Sequence, residues 1–324
     1  MYSHEELYTI FSEHFKDQSF SRDPKELYEP IIYALSQKGK RIRPILALMA
    51  CDLFGEDIQK ALPQAVALEL LHNFTLIHDD IMDQSPMRHG KDTVFKKWSP
   101  GTAILAGDTL YVLAYRYATH ADKNILPDIL YTFNETALEA CEGQQKDLNF
   151  ERKESITKED YLEMSRMKTA VLFGASLKIG AIIAHASQKD ADLLAGFGTN
   201  IGLGFQLMDD LLDLYGEEEI FGKKTGIDII ENKKTFLFVS AIERADEATK
   251  EKLRSYYRDG EMEPQQKIKA VEAIFDKLNI QQITQQAIKD YYNKALEQLN
   301  QIDSPDANKE MLKRLAYMLI YRKK

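Results

Sequence analysis

The chain has 324 residues, of which 44% are hydrophobic and 29% charged, a globular balance with apolar material for one large core or two ordinary ones. A formal net charge of −9 argues against a nucleic-acid partner, which would favour a basic patch or stripe. The two cysteines, Cys51 and Cys141, are far apart and in no metal-type spacing, which excludes a disulfide framework and fits a reducing compartment.

The opening stretch MYSHEELYTIFSEHF carries acids and lacks the apolar centre of a signal peptide. No apolar run approaches the roughly 18 residues of a membrane span. A soluble, cytoplasmic protein with no transmembrane segment is expected. Apolar residues then recur three and four apart, and strand-like alternation is scarce. A first helix is predicted over about 44–54, opened by the basic run Lys40-Arg41-Ile-Arg43-Pro44 after Gly39. A second runs from about Pro63 to Asp83, with Val66, Leu70, Asn73, Ile77 and Ile81 near one stripe and an acidic cluster at its end. A loop follows from Ser85 to Gly101 and holds Arg88-His89-Gly90. Further helices are predicted over about 102–120, 127–149, 158–185 and 188–215. Within them lie Gly143-Gln144, Lys168-Thr169 in an otherwise apolar helix, and a second acidic cluster. A loop from Gly216 to Lys234 carries Lys223, Lys224, Lys233 and Lys234, before helices over about 234–247, 264–277, 281–301 and 306–322. Neither loop has linker composition and no fixed-period repeat is visible, so residues 1–324 are expected to form one large helical domain.

The first acidic cluster reads His72-Asn-Phe-Thr-Leu-Ile-His78-Asp79-Asp80-Ile-Met-Asp83. At about 100° per residue, His72, Asp79 and Asp83 fall within about 40° of each other, and Asp80 lies roughly 80° further round. Carboxylates one turn apart on an apolar helix repel each other, and burying them unpaired is unfavourable by several kcal/mol. They need a cation, and oxygen-only ligands with room for substrate oxygens suit magnesium carrying a phosphate. The bland alternative is an exposed acidic helix end, which Leu76, Ile77, Ile81 and Met82 around the acids make less apt. Gln206-Leu-Met-Asp209-Asp210-Leu-Leu-Asp213 repeats the pattern about 130 residues later. Gly198, Gly202 and Gly204 before it either allow close helix approach or simply weaken the helix. Any one basic group, taken alone, reads as a solvated surface charge before it reads as a ligand. Together, acids that want cations and separate Lys/Arg sets that want anions suggest two diphosphates, one held through metal and one held directly.

In order and spacing these motifs resemble the trans-isoprenyl diphosphate synthase family, of the short-chain farnesyl or geranylgeranyl type, from about Gly39 to Lys234. The resemblance rests on Gly39-Lys40-Arg-Ile-Arg43-Pro, Glu69-Leu-Leu-His72, the stretch Asp79 to Gly90, Gly143-Gln144, Lys168-Thr169, Phe205 to Asp213, Gly222-Lys223, Gly226-Ile-Asp228 and Lys233. It implies an all-α barrel of antiparallel helices around a central active-site cavity, and a homodimer. It implies that Asp79, Asp83 and Asp209 ligate magnesium, up to three ions with bound allylic diphosphate. Asp80, Asp210 and Asp213 would complete that shell directly or through water. Lys40, Arg43 and His72 would bind isopentenyl diphosphate. Arg88, Lys168 and Lys233 would hold the allylic diphosphate, with Thr169, Gln206 and Lys223 lining the reaction centre. The family's second arginine after Arg88 is His89 here, shorter and only partly charged near neutrality. The tail Tyr321-Arg322-Lys323-Lys324 resembles a basic end that closes over the site, or is a frayed terminus.

The implied reaction is a magnesium-assisted departure of diphosphate from an allylic substrate, attack by isopentenyl diphosphate and loss of a proton. The product is a trans-prenyl diphosphate one C5 unit longer. No side chain reads as an activated nucleophile, so catalysis would rest on positioning, electrostatics and exclusion of water. Phe74 lies five residues before Asp79 and Leu71 three further back; Phe74 is either ordinary core or the floor of the elongation pocket. In the family the residue there points into that pocket, which implies a product of C15 to C20, with C20 ahead because Thr75 is small. A class I terpene cyclase shares the first motif, but it carries an Asn/Ser/Glu motif second and needs no site for isopentenyl diphosphate. A non-catalytic subunit of a heteromeric synthase would be expected to lose acidic ligands, and none is lost.

Overall fold

The computed structural model describes residues 2–37, 39–216, 226–258 and 262–321. Lys223 and the basic tail Arg322-Lys323-Lys324 lie outside the described residues. The fold is all-α apart from one two-residue hairpin among those described.

The described residues within 1–140, 172–198 and 298–312 form one compact unit, and those within 141–171, 199–297 and 313–324 form another. The first unit begins with α1 (His4–Asp17), α2 (Lys25–Leu35) and α3 (Ile42–Leu53). A capping box at Ser3 and Glu6 starts α1, a local signal that apolar periodicity does not register. After a 3₁₀ turn comes α4 (Leu62–Met82), then α5 (Val94–Lys97) and α6 (Pro100–Ala118). The first half of α4 is buried on nearly every face, with Leu62, Ala65, Val66, Leu68, Leu70 and Leu71 all in the core. It packs chiefly on α6 and α3. Glu69 would be a stranded charge in that core. It is ion-paired with Arg41, and Asn73 donates to its carboxylate at 3.0 Å. Arg41 caps α3 in the left-handed region (φ 48) and also donates to the Leu35 and Gln37 carbonyls, so this basic residue is structural.

The stretch from Ser85 to Gly101 is more ordered than a loop. Met87–Arg88 and Lys91–Asp92 pair antiparallel as β1 and β2. The two turn residues, His89 (φ 52) and Gly90 (φ 75), both take positive φ, as a two-residue primed hairpin turn requires.

Next come α7 (Leu126–Arg152), α8 (Lys158–Ser165), a π-helical turn (Arg166–Ala170), α9 (Val171–Ile183) and α10 (Gln188–Tyr215). The predicted helix at 158–185 is thus one helical run broken by a π turn, a feature that often marks function. The second unit takes in the end of α7, α8, the π turn and the second half of α10. It continues with α11 (Ile227–Ile230), α12 (Phe236–Arg244), α13 (Glu247–Arg258), α14 (Pro264–Lys277) and most of α15 (Ile280–Asn300), and closes with the end of α16 (Asp306–Ile320). Phe236, Leu237, Phe238 and Val239 of α12 are buried in it.

Candidate active site

The first acidic cluster closes α4. Asp79 and Asp83 are half-buried, while Asp80 is only 4% exposed. Arg88, placed by the hairpin, reaches back to both neighbouring acids: its Nε donates to Asp80 Oδ1 at 2.7 Å and its Nη2 to Asp79 Oδ2 at 3.1 Å. Burial pushes the Asp80 carboxyl up to about 6, with Arg88 pulling against it. The cation and the acids from the sequence motif therefore meet.

Arg43 on α3 donates from Nη1 to His72 Nε2 at 3.0 Å, and its guanidinium lies 5.1 Å from the centre of the Phe173 ring. An arginine can only donate, so Nε2 accepts and His72 is neutral with its proton on Nδ1. Burial, with Arg43 next, holds the His72 pKa well below its ordinary value, in agreement with that tautomer. Lys40 is exposed just before α3, and His89 is exposed at the hairpin tip.

Phe74, on the preceding turns of α4, is flanked by His78 (4.8 Å between ring centres) and by Tyr111 of α6 (5.3 Å). Reading α4 alone leaves a single aromatic at this level; α6 supplies a second. Leu71 is fully buried.

In the second unit the α10 acids divide. Asp209 is exposed, Asp213 half-buried, and Asp210 buried. Asp213 Oδ2 accepts the Asp228 backbone N–H at 3.1 Å, which folds α11 back onto α10. Burial and the facing Asp213 hold the Asp228 carboxyl well above its ordinary value, so this acid belongs to the cluster although the site reading from sequence omits it. Asp210 accepts from Gln206 Nε2 (3.1 Å), Tyr161 Oη (2.5 Å) and the Phe236 N–H (3.0 Å), and burial pushes its carboxyl up to about 6 against those bonds.

The π turn carries Lys168 and Thr169. Lys168 Nζ donates to Asp147 Oδ2 at 2.7 Å, and the Thr169 hydroxyl donates to Gln206 Oε1 at 3.0 Å. Two glycines let the neighbouring helices close on this turn. A Cβ on Gly143 of α7 would stand 2.4 Å from the Lys168 backbone nitrogen, and one on Gly202 of α10 would stand 2.6 Å from the Ala170 Cα. Close approach is therefore the meaning of Gly202. Lys233 pairs with Glu231 at 3.0 Å, and Lys234 donates to the Phe150 carbonyl at 2.6 Å. Asp147 and Tyr161 belong to none of the sequence motifs. The available signal was spacing: Asp147 is one turn beyond Gly143, and Tyr161 stands seven positions before Lys168.

Among the described residues no three His, Cys, Asp or Glu side chains gather into a cage that could hold a metal alone. The donor sets are carboxylate pairs one turn apart. Such a pair suits a hard cation that completes its shell with water and phosphate oxygens, which is how magnesium binds. Among the described residues no helix is long and apolar enough to cross a membrane.

A family model, polyprenyl synthetase, matches residues 24–274. The geranylgeranyl diphosphate synthase of Sulfolobus acidocaldarius is 37% identical over 309 residues, covering 94% of this chain and 93% of its own. A crystal structure of a geranylgeranyl pyrophosphate synthase matches with a TM-score of 0.95 and 39% identity, covering 100% of both chains. The geranylgeranyl pyrophosphate synthase of Corynebacterium glutamicum, solved with isoprenyl diphosphate and magnesium, matches with a TM-score of 0.84 and 26% identity over 98% of this chain and 97% of its own.

Proposed function

The chain belongs to the polyprenyl synthetase family, and on that footing we propose that it condenses isopentenyl diphosphate with an allylic diphosphate to give a short trans-prenyl diphosphate, C20 in the main. The observation that carries this reading is the paired design of its acids. Each cluster is an i, i+4 carboxylate pair, and cations stand in the same unit: Arg88 beside Asp79 and Asp80, Lys168 on the turn bonded to Gln206.

Asp79 and Asp83 would hold magnesium at the first cluster and Asp209 would hold it at the second, with Asp80 and Asp213 completing those shells directly or through water. When bound, that ion neutralises the diphosphate and makes it a better leaving group. Arg88, Lys168 and Lys233 bind the allylic diphosphate, and Lys223 adds a further charge. In doing so Arg88 exchanges part of its hold on Asp79 and Asp80 for phosphate oxygens, a geometry its planar fork suits. Lys40, Arg43 and a neutral His72 take isopentenyl diphosphate. Thr169 and Gln206 line the point where its double bond attacks the allylic carbon. The released diphosphate takes the proton. The magnesium assignment draws support from the Corynebacterium structure, and the C20 assignment from the relatives named geranylgeranyl diphosphate synthase.

The same proposal includes one cytoplasmic domain over residues 1–324 that acts as a homodimer. Support for the dimer comes from the exposed apolar stripe of α6 and α7, where Val112 is 65% and Tyr131 67% exposed beside Leu105, Tyr115 and Leu138. A terpene cyclase would release diphosphate from an allylic substrate alone. Here no diphosphate is expected until isopentenyl diphosphate is added, and release without it would overturn the assignment.

Product length supplies a second test. Phe74 and Tyr111 together form the floor. Phe74→Ala is expected to shift the main product to longer chains, at a stability loss of no more than the roughly 3–5 kcal/mol typical of such cavities. A folded, active variant with an unchanged product distribution would place the floor elsewhere.

A further inference from the structure

Asp210 of the second cluster is buried and accepts three hydrogen bonds. Its Oδ2 accepts two bonds, from the Tyr161 hydroxyl at 2.5 Å and the Phe236 N–H at 3.0 Å; its Oδ1 accepts one, from Gln206 Nε2 at 3.1 Å. An oxygen of this kind offers about two lone pairs, so Oδ2 has none left for a metal and Oδ1 keeps only one, on a side chain that is almost wholly buried. Asp210 and Tyr161 are 5% and 3% exposed, whereas the neighbouring Asp209 is exposed. One carboxylate thus ties together α8, α10 and the start of α12.

We propose that Tyr161 is a positioning residue: its buried hydroxyl, fastened to Asp210, sets the rotation of α10 so that Asp209 faces outward to magnesium and Gln206 faces Thr169. Asp210 is the anchor of this arrangement and not a direct ligand. The inference rests on the metal-binding reading of the second cluster.

The geometry supports both halves. On α10 the residue after Asp209 lies about 100° further round, so pinning Asp210 inward turns Asp209 outward. Gln206 is one turn before Asp210. Because its Nε2 donates to Asp210, its Oε1 is left to accept from the Thr169 hydroxyl at 3.0 Å. The Tyr161 ring packs on Phe236 at 6.2 Å, and phenylalanine would fill the same space without the hydroxyl.

The test is calorimetric titration of magnesium with inorganic diphosphate into the full-length protein, alongside kcat and KM. Tyr161→Phe is expected to weaken magnesium–diphosphate binding about fivefold or more and to lower kcat about tenfold, with KM for isopentenyl diphosphate unmoved. Asp210→Asn keeps one oxygen to accept from both Tyr161 and Phe236, and its NH2 replaces the acceptor of Gln206, whose amide can turn over to accept instead. That variant is expected to lose at most about tenfold in that affinity, while Asp209→Asn loses a hundredfold or more. A Tyr161→Phe protein that melts lower but binds magnesium–diphosphate like the parent would reduce Tyr161 to packing and overturn the proposal. So would an Asp210→Asn loss as large as that of Asp209→Asn. Failure of the parent protein to bind magnesium–diphosphate at all would instead strike the metal-binding reading.

Discussion

Asp79→Ala and Asp209→Ala are each expected to lower kcat by at least about a hundredfold to a thousandfold, because charge stabilisation of a leaving group is among the largest single catalytic effects. Neither side chain belongs to the packed core. Asp209 is exposed. Asp79 is half-buried and bonded to Arg88, which keeps its 2.7 Å bond to Asp80 when Asp79 is removed. Melting temperature and helical circular dichroism should therefore stay close to the parent while turnover collapses. The measurement is steady-state turnover at saturating magnesium, paired with a thermal melt. Near-normal turnover in either variant would remove the metal-ligand role.

Gly143→Ala is expected to damage both stability and turnover, though one methyl group is all it adds. The new Cβ would meet Lys168 N at 2.4 Å, Lys168 Cα at 2.8 Å and Met167 C at 2.8 Å. All three are backbone atoms of the π turn, and none can swing aside as a flexible side chain would. Either α7 or the turn must move. Overpacking of this kind is unfavourable by about 1–3 kcal/mol, occasionally more, and an all-backbone collision belongs at the upper end. Lys168 and Thr169 sit on the displaced turn, so kcat should fall about tenfold or more, and the Lys168–Asp147 pair at 2.7 Å should loosen. A melt and a kinetic assay together check this. A variant with the parent's melting temperature would mean that the helices have slack the packing does not show.

The helices that carry the chemistry were legible in the sequence. Those over α4, α6, α7, the run from α8 to α9, and α10 bury an apolar stripe, and burial is what makes a 3.6-residue period visible. Helices α1, α2 and α13 were not anticipated, nor were the four-residue α5 and α11, which fall within the two stretches read as loops. In α13 only Leu253 is buried, so there is little stripe to see, whereas α1 carries both a capping box and a buried i, i+4, i+8 stripe of Leu7, Phe11 and Phe15 that periodicity alone could have found. The hairpin of β1 and β2 hides for another reason. Two-residue strands carry no alternation, and only the His89-Gly90 turn marks them.

The site residues themselves were read from motifs, and their partners were not. Nothing in the run Asp79-Asp80 says that Arg88 folds back onto both acids. Nor does the sequence say that the like-looking Asp209, Asp210 and Asp213 have three environments: outward, pinned by three bonds, and facing Asp228. Those distinctions come from contacts between residues far apart in the chain, and a local pattern cannot encode them. Phe74 makes the same point. Its second aromatic neighbour, Tyr111, belongs to another helix, so a reading of positions adjacent to Asp79 could find only one.

The most direct measurement incubates the purified protein with isopentenyl diphosphate and dimethylallyl, geranyl or farnesyl diphosphate, with magnesium and again with a chelator, and determines product chain length. The expected result is magnesium-dependent formation of all-trans prenyl diphosphates ending mainly at C20, with release of diphosphate and no product under chelation. Absence of any elongated product from all three primers at saturating magnesium would contradict the account.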